Sequence, residues 1–166
     1  MHRIGKLHGG MTLASSRPFT TLREGTNQAI AAADLDVKTA IAQETARRWF
    51  SRSLSLRSPL DSPVADRPGR PEKPELLPPS MIGKRNLNSV KGRIALLHAL
   101  AHIELNATDL ALDIVARFVT ESMPQSFFDG WMQVAFEEAK HFLLVRGRLR
   151  DLGADYGDLP AHDGLW

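Results

Sequence analysis

Two long helical patterns dominate the second half of the sequence, and a short turn at Pro124 separates them. Apolar residues recur at intervals of three and four over about 89–120 and again over about 127–152, as expected for amphipathic helices. Helices joined by so short a connection pack as antiparallel neighbours. The sequence therefore predicts an all-α fold built on an antiparallel helix pair, which we place at 88–153.

Each long helix carries a glutamate near the middle of its apolar stripe. At about 100° per residue, a stripe of apolar side chains of the first helix falls within about 60° of Glu104, and a similar stripe of the second falls within about 60° of Glu138. His141 follows Glu138 at i+3 and shares its face. Ionised carboxylates are rarely buried unless they are paired or bind metal. Glu104, Glu138 and His141 therefore form a predicted metal site.

The ligand types restrict the metal. Mixed carboxylate and imidazole ligation is typical of iron or manganese, and ligand type alone leaves zinc open. We expect a di-iron centre, with manganese as the alternative. The chain has no cysteine, so zinc–thiolate sites, disulfides and thiol catalysis are excluded. The lack of cysteine also fits a reducing compartment, and we expect a cytoplasmic protein.

The opposite side of the first long helix is polar. His98 and His102, at i and i+4, could form a second metal pair, but contact with the linker or with a preceding helix explains them as well. We interpret Asp109 and Asp113 as a solvated acidic face, with Arg117 as a partner for it.

The first half of the chain has weaker patterns. Residues 1–33 show little periodicity and are expected to be a mostly disordered leader. A short helix is predicted at 36–51. Seven of the ten prolines lie between residues 59 and 79, so residues 53–87 are predicted to form an extended strap over the surface.

Several local signals mark the ends of the last helix. Ser126 and Asp129 have the spacing of a capping box, and Gly153 is a plausible C-cap. The remaining residues, 154–166, form a turn-rich tail in which His162 is interpreted as a turn residue. The ordered domain is expected to span 34–166.

Charge is unevenly distributed along the chain. Residues 1–93 carry 16 basic and 8 acidic side chains, whereas residues 94–166 carry 5 and 11. The two halves can attract each other, or the basic half can bind nucleic acid, and we favour pairing within the chain. Polar and charged residues interrupt the apolar stretch at 94–119, so no membrane-spanning segment is predicted.

Four blocks of sequence resemble a known family. The blocks are Arg67-Pro68-Gly69-Arg70-Pro71 with Pro74-Glu75-Leu76-Leu77-Pro78, then Leu97 to Glu104, Phe128 to Phe142, and Tyr156 to His162. In these blocks, over roughly 35–166, the chain resembles the bacterial family known as domain of unknown function 455, in the ferritin-like superfamily. That family is distantly similar to the tRNA-isopentenyladenosine hydroxylase, a di-iron monooxygenase. The resemblance implies a ferritin-like bundle in which Glu104, Glu138 and His141 are half of a di-metal site.

One departure from the family pattern affects the function that is implied. Members continue with a second helix pair that carries another Glu and another Glu-x-x-His, and this sequence stops before it. We expect either the first half of a longer domain or a homodimer whose two copies together supply four carboxylates and two imidazoles. The implied function is a di-iron oxidase or hydroxylase, or an incomplete half of one, acting on an unidentified small molecule. A non-catalytic helical interaction module is the alternative, and a tRNA-modifying hydroxylase is a second.

Overall fold

The computed structural model describes residues 19–57, 62–82 and 88–166. Within these ranges the fold is all-α, as predicted, and its β-structure is one parallel pair of two-residue strands together with an isolated bridge. Leu76 pairs with Ala161, and Leu77 pairs with His162. The helices are α1 (Leu22–Ala31), α2 (Leu35–Phe50), α3 (Val90–Phe118) and α4 (Gln125–Asp151); the strands are β1 (Leu76–Leu77) and β2 (Ala161–His162), and a 3-10 turn covers Pro79–Met81.

Helices α3 and α4 share the most extensive interface among these elements. Ala101, in the first half of α3, belongs to the same buried cluster as Phe142, in the second half of α4. Val115, near the end of α3, belongs to a second cluster with Phe128, near the start of α4. This pairing of opposite ends makes the two helices antiparallel, as the short connection predicts. Helices α1 and α2 pack on the pair at the second cluster.

The helix ends follow local chemistry, with one difference from expectation. Gly153, just after α4, has a φ of 80°, a conformation that glycine adopts without strain, so the predicted C-cap is confirmed. The predicted capping box at Ser126 and Asp129 is wrong. Helix α4 begins two residues earlier than expected, after Pro124, and has no side-chain cap. The Asp129 carboxylate instead accepts a 2.8 Å hydrogen bond from Trp49 Nε1 on α2.

Helix α1 lies in a region that we expected to be mostly disordered. The prediction for 1–33 is therefore wrong at 22–31, whereas residues 1–18 lie outside the described residues. Thr21 caps the helix by accepting from Glu24 N–H at 3.0 Å. Leu22 and Ile30 are buried against the other helices. Packing of this short apolar face stabilises a helix that is too short to be stable alone.

Residues 62–82, which we call the strap, run across α1 and α3. Gly69 N–H donates to the Ile30 carbonyl at 2.8 Å, and a Cβ atom at residue 69 would overlap the backbone of Ala31. Arg117 Nη2, near the end of α3, donates to the Ala65 carbonyl at 3.0 Å. Through β1 the strap also pairs with β2 in the tail. The rest of the strap predicted at 53–87 is described only at 53–57, since 58–61 and 83–87 lie outside the described residues.

The polar side of α3 is buried, and the predicted solvated acidic face is wrong for both Asp109 and Asp113. Asp109 is the clearer case. Its carboxylate is fully buried and lies 2.7 Å from Lys38 Nζ and 2.9 Å from Arg70 Nη2. Asp113 does pair with Arg117, at 2.7 Å. The two cations that neutralise Asp109, Lys38 and Arg70, come from the basic first half of the chain. Pairing within the chain therefore offsets part of the charge difference between the two halves.

None of the helices in the described part of the chain has both the length and the apolar character needed to cross a bilayer.

Candidate metal centre

The structure brings together the three residues that the sequence singled out. Glu104 lies on α3, and Glu138 and His141 lie one turn apart on α4. His141 Nδ1 is 3.4 Å from Glu138 Oε2 and 3.8 Å from Glu104 Oε2. One ligand atom from each residue lies within 4.8 Å of the other two. Among the residues that the structure describes, no other group of three His, Cys, Asp or Glu side chains satisfies this criterion.

The cluster sits at the border of the α3–α4 interface rather than at its centre. The side chains of Glu104 and Glu138 are 21% and 24% exposed, and that of His141 is 48% exposed. Leu105, about 100° further round the helix from Glu104, is fully buried. The expectation that Glu104 is central to the buried face is therefore wrong. The strap and α1 cover the polar side of α3, which moves the buried arc away from the apolar stripe.

The proximity of the two carboxyl groups changes their chemistry. Partial burial, hydrogen bonding to Glu138 and the negative charge of Glu138 raise the pKa of Glu104 to about 7, while the nearby His141 opposes the shift. Two carboxylates this close disfavour the doubly ionised state unless a cation lies between them. Near neutral pH the pair therefore favours binding either a proton or a metal ion.

The donor set suits a hard or intermediate divalent cation. Carboxylate oxygens and an imidazole nitrogen are the ligands of iron and manganese sites in helical bundles. Ligand atoms bound to one ion at about 2.1 Å lie at most about 4.2 Å apart. The three donors are already close to this separation, so small side-chain rotations are enough to place them on one ion.

Large apolar side chains are exposed around the cluster. We call this surface the outer face, and Leu144, on α4, is its most exposed member at 61%. Contiguous exposed apolar side chains commonly mark a surface that another element or protein covers. The outer face comprises Leu100, Ile103 and Leu110 on α3 with Leu143 and Leu144 on α4.

The histidine pair on the other side of α3 has a structural explanation. His98 Nε2 accepts from Gly157 N–H at 3.0 Å. His102 Nδ1 lies 2.8 Å from the Tyr156 hydroxyl, and its Nε2 lies 2.8 Å from the His162 carbonyl. Both imidazoles are therefore held by the tail, and the interpretation as a packed polar face accounts for them. The sequence patterns had suggested the linker or a preceding helix as the contact.

A second concave site was missed by sequence reasoning. It is a cavity of about 120 Å³ between the strap, α3 and the tail, and it is lined by residues from all three segments, among them Arg70, His102 and His162. His162, which we had interpreted as a turn residue, lies in β2. The available signal was that the strap block carries two arginines, whereas the α3 and tail blocks carry the histidines.

Comparison with known proteins identifies the family of this chain. The model of the family described as "Protein of unknown function (DUF455)" matches residues 31–166. The chain belongs to the DUF455 family. The matched DUF455 region begins at the last residue of α1 and contains the whole of α2, the strap, α3, α4 and the tail. It therefore includes both the metal-ligand cluster and the cavity.

A relative from Haemophilus influenzae, described as an uncharacterized protein, is 45% identical over 101 residues. The alignment covers 58% of this DUF455 chain and 35% of the relative, so the chain spans about a third of the length of that protein. No solved structure matches the chain significantly.

Proposed function

We propose that this chain is a ferritin-like di-metal carboxylate protein, with iron as its metal, and that it acts as an oxidase or hydroxylase once its ligand set is complete. The observation that carries the proposal is the convergence of Glu104, Glu138 and His141 from two antiparallel helices. A carboxylate pair at an apolar border favours a bound cation, because the charge of Glu138 and partial burial disfavour ionisation of Glu104.

The three side chains would have different roles. Glu104 and Glu138, on facing helices, would hold the metal through their carboxylates, and His141 would hold it through its imidazole. Bound iron would supply the redox chemistry with dioxygen, which no side chain of the cluster can supply itself. The same donors accept manganese, which is the alternative metal. The cysteine-free sequence suits the reducing cytoplasm, which we propose as the compartment.

A second helix pair is needed to complete the site. Ferritin-like di-metal bundles use four carboxylates and two imidazoles, and the cluster supplies half of each. The missing half would come from a second copy of this chain or from a further segment of a longer protein. The exposed apolar side chains of the outer face support either arrangement, since a second pair would bury them.

Metal analysis with two neighbouring glutamates tests this proposal. The purified protein is loaded with Fe²⁺ under anaerobic conditions, desalted, and assayed for bound metal by mass spectrometry. We expect iron in the wild-type protein and a large loss in Glu138→Gln. Glu137→Gln is the matched control, because Glu137 is exposed and its carboxylate accepts from Gln133. Equal iron content in all three proteins would reject the metal site.

Molar mass measurements distinguish the two ways of completing the site. Light scattering after size-exclusion chromatography would show a dimer if two copies combine, and Leu144→Glu would convert it to a monomer. A wild-type monomer whose bound iron is lost in Glu138→Gln would favour completion by a further segment.

The alternative function, a helical interaction module without metal, is favoured by the same exposed apolar residues. It predicts a protein whose assembly with a partner is unchanged when Glu138 is replaced by Gln. Because that variant leaves Leu144 and the rest of the outer face intact, it separates loss of metal from loss of the apolar surface.

A further inference from the structure

The cavity between the strap, α3 and the tail lies on the side of α3 opposite Glu104. Its volume is about 120 Å³, and an apolar cavity of about 150 Å³ is large enough to bind benzene. His102 and Asn106 line it from α3, about 160° round the helix from Glu104. The cavity and the metal-ligand cluster are thus separate sites on one helix.

Two buried nitrogen atoms of the lining residues have no hydrogen-bond partner among the described residues. They are Arg70 Nη1 and His162 Nδ1. The Arg70 guanidinium is held in place through its other terminal nitrogen, which donates to Asn106 Oδ1 at 2.8 Å and lies 2.9 Å from the Asp109 carboxylate. Leaving a buried polar group without a partner is unfavourable, so these two nitrogens favour a ligand that they can bind after a small rotation of their side chains.

The other polar groups of the cavity wall are already satisfied and form a rigid frame. Burial lowers the pKa of His102 to about 4, so its imidazole is neutral at physiological pH. His102 Nε2–H donates to the His162 carbonyl at 2.8 Å, and Nδ1 accepts from the Tyr156 hydroxyl at 2.8 Å. Asn106 Nδ2 donates to the His102 carbonyl at 2.7 Å. A ligand would therefore meet Arg70 and His162 rather than His102.

The charges around the cavity favour an anion. Arg67 and Arg70 both line it, and Asp163 is the acidic residue in the lining. The Asp109 carboxylate that holds Arg70 is shared with Lys38, so two cations face one buried carboxylate. The local balance is positive.

The remaining walls are apolar, and Pro74, Leu76 and Trp166 contribute to them. A ligand site that combines apolar walls with a few convergent polar groups binds small organic molecules. We propose that this cavity binds a small organic anion, in which a carboxylate or phosphate group meets Arg70 and His162 and a compact apolar body packs against Trp166. Arginine is suited to both groups, since it forms charge-assisted hydrogen bonds with either.

Nuclear magnetic resonance of the ¹⁵N-labelled protein tests the site directly. The chain has three tryptophans, and Trp166 lines the cavity whereas Trp49 is bonded to Asp129 in the other part of the molecule. Benzoate, phenyl phosphate and neutral benzamide are titrated separately. We expect a saturable shift of the Trp166 indole resonance with one or both anions and a much weaker response to benzamide. The stronger of the two anions identifies the acid group.

Two substitutions with opposite expected effects on anion affinity strengthen the test. Arg67→Gln should weaken anion binding up to about tenfold, because it removes a positive charge from the cavity wall while the proposed contacts to Arg70 and His162 stay in place. Asp163→Asn should strengthen anion binding, because it removes a negative charge from the cavity wall. Arg148→Gln is the control, since Arg148 is exposed on α4 and pairs with Asp151. Arg67 is exposed and Asp163 is at the surface, so both variants are expected to fold.

Two outcomes would overturn the proposal. One is the absence of a saturable shift with either anion, which would mean that water alone occupies the cavity. The other is equal affinity in the four proteins or equal affinity for benzamide, which would make the cavity a non-specific apolar pocket. Glu138→Gln should bind the anion as the wild-type protein does, so failure of the metal site leaves this result unchanged.

Discussion

Helix α3 carries ionisable groups on two sides, and the structure satisfies the two sides differently. On the strap side, Asp109 is fully buried and is held by Lys38 and Arg70. On the other side, the metal-ligand cluster lies among the apolar side chains of the outer face. There Glu104 is partly exposed and lies beside a second carboxyl group, Glu138, and the half-exposed imidazole of His141. The strap side is neutralised by cations of the same chain. The outer face lacks such a cation among the described residues, which is why we propose that a metal ion takes that role.

The largest expected difference between the two sides is in the free energy of unfolding. Asp109→Ala leaves Lys38 buried without its carboxylate and should destabilise the protein by about 3–5 kcal/mol. Glu104→Ala in metal-free protein should have a much smaller effect, because it relieves a repulsion. Urea denaturation measures both. Similar losses of unfolding free energy in the two variants would show that Asp109 and Glu104 contribute equally to stability.

The strap side should also lose stability in acid through His102. Its pKa is about 4 in the folded protein and 6.5 in the unfolded chain, so the unfolded state binds the proton first. Stability is therefore lost as the pH falls from about 6.5 to about 4, by about 3 kcal/mol in total. Urea midpoints at several pH values should show this loss in the wild-type protein and a shallower one in His102→Gln. An unchanged slope in the variant would assign the acid sensitivity to other groups.

At Gly69 the strap lies too close to α1 to accommodate one additional methyl group. A Cβ at Gly69 would meet the backbone of Ala31, so Gly69→Ala should destabilise the protein by about 1–3 kcal/mol. Gly147→Ala is the control, because a Cβ there meets no neighbouring atom within 4 Å. Replacing that exposed glycine within α4 should stabilise the protein by about 0.5–1 kcal/mol. Thermal denaturation of both variants measures the contrast, and a loss of the same size in both would contradict it.

The contribution of Glu104 to stability should change with pH in the opposite direction to that of His102. The pKa of Glu104 is about 7 in the folded protein and 4.5 in the unfolded chain, so the folded state retains the proton longer. In metal-free protein the contribution of Glu104 to the free energy of unfolding is fully present below about pH 4.5 and is lost as the pH rises towards 7. The stability difference between the wild-type protein and Glu104→Gln should therefore grow between pH 5 and pH 8 in the presence of a chelator. A constant difference would mean that Glu104 ionises normally.

Much of the outer face could be predicted from the sequence because its signals are local. The 3.6-residue periodicity placed α3 and α4 within about two residues of their observed ends. The i+3 spacing of Glu138 and His141, together with the short turn before α4, was enough to place both residues beside Glu104. Each of these inferences depends on neighbours in sequence or on a two-helix geometry.

The strap side could not be predicted because its partners are distant in sequence. Lys38 and Asp109 are 71 residues apart, and nothing local marks either as buried. The cavity needs three segments that the sequence does not orient relative to one another. Helix α1 was a different kind of error, since the cap formed by Thr21 and Glu24 was visible in the sequence and was not used.

The central claim is that the outer face binds a metal ion through Glu104, Glu138 and His141. Isothermal titration of metal-free protein with Mn²⁺, which avoids oxidation, tests it most directly at pH 7.5. The account predicts saturable binding that weakens at least about tenfold in Glu138→Gln, since loss of even an outer-shell partner of a metal ligand typically weakens binding by that factor. Glu137→Gln should bind as the wild-type protein does. Equal affinities in the three proteins, or no binding by the wild-type protein in any assembly state, would contradict it.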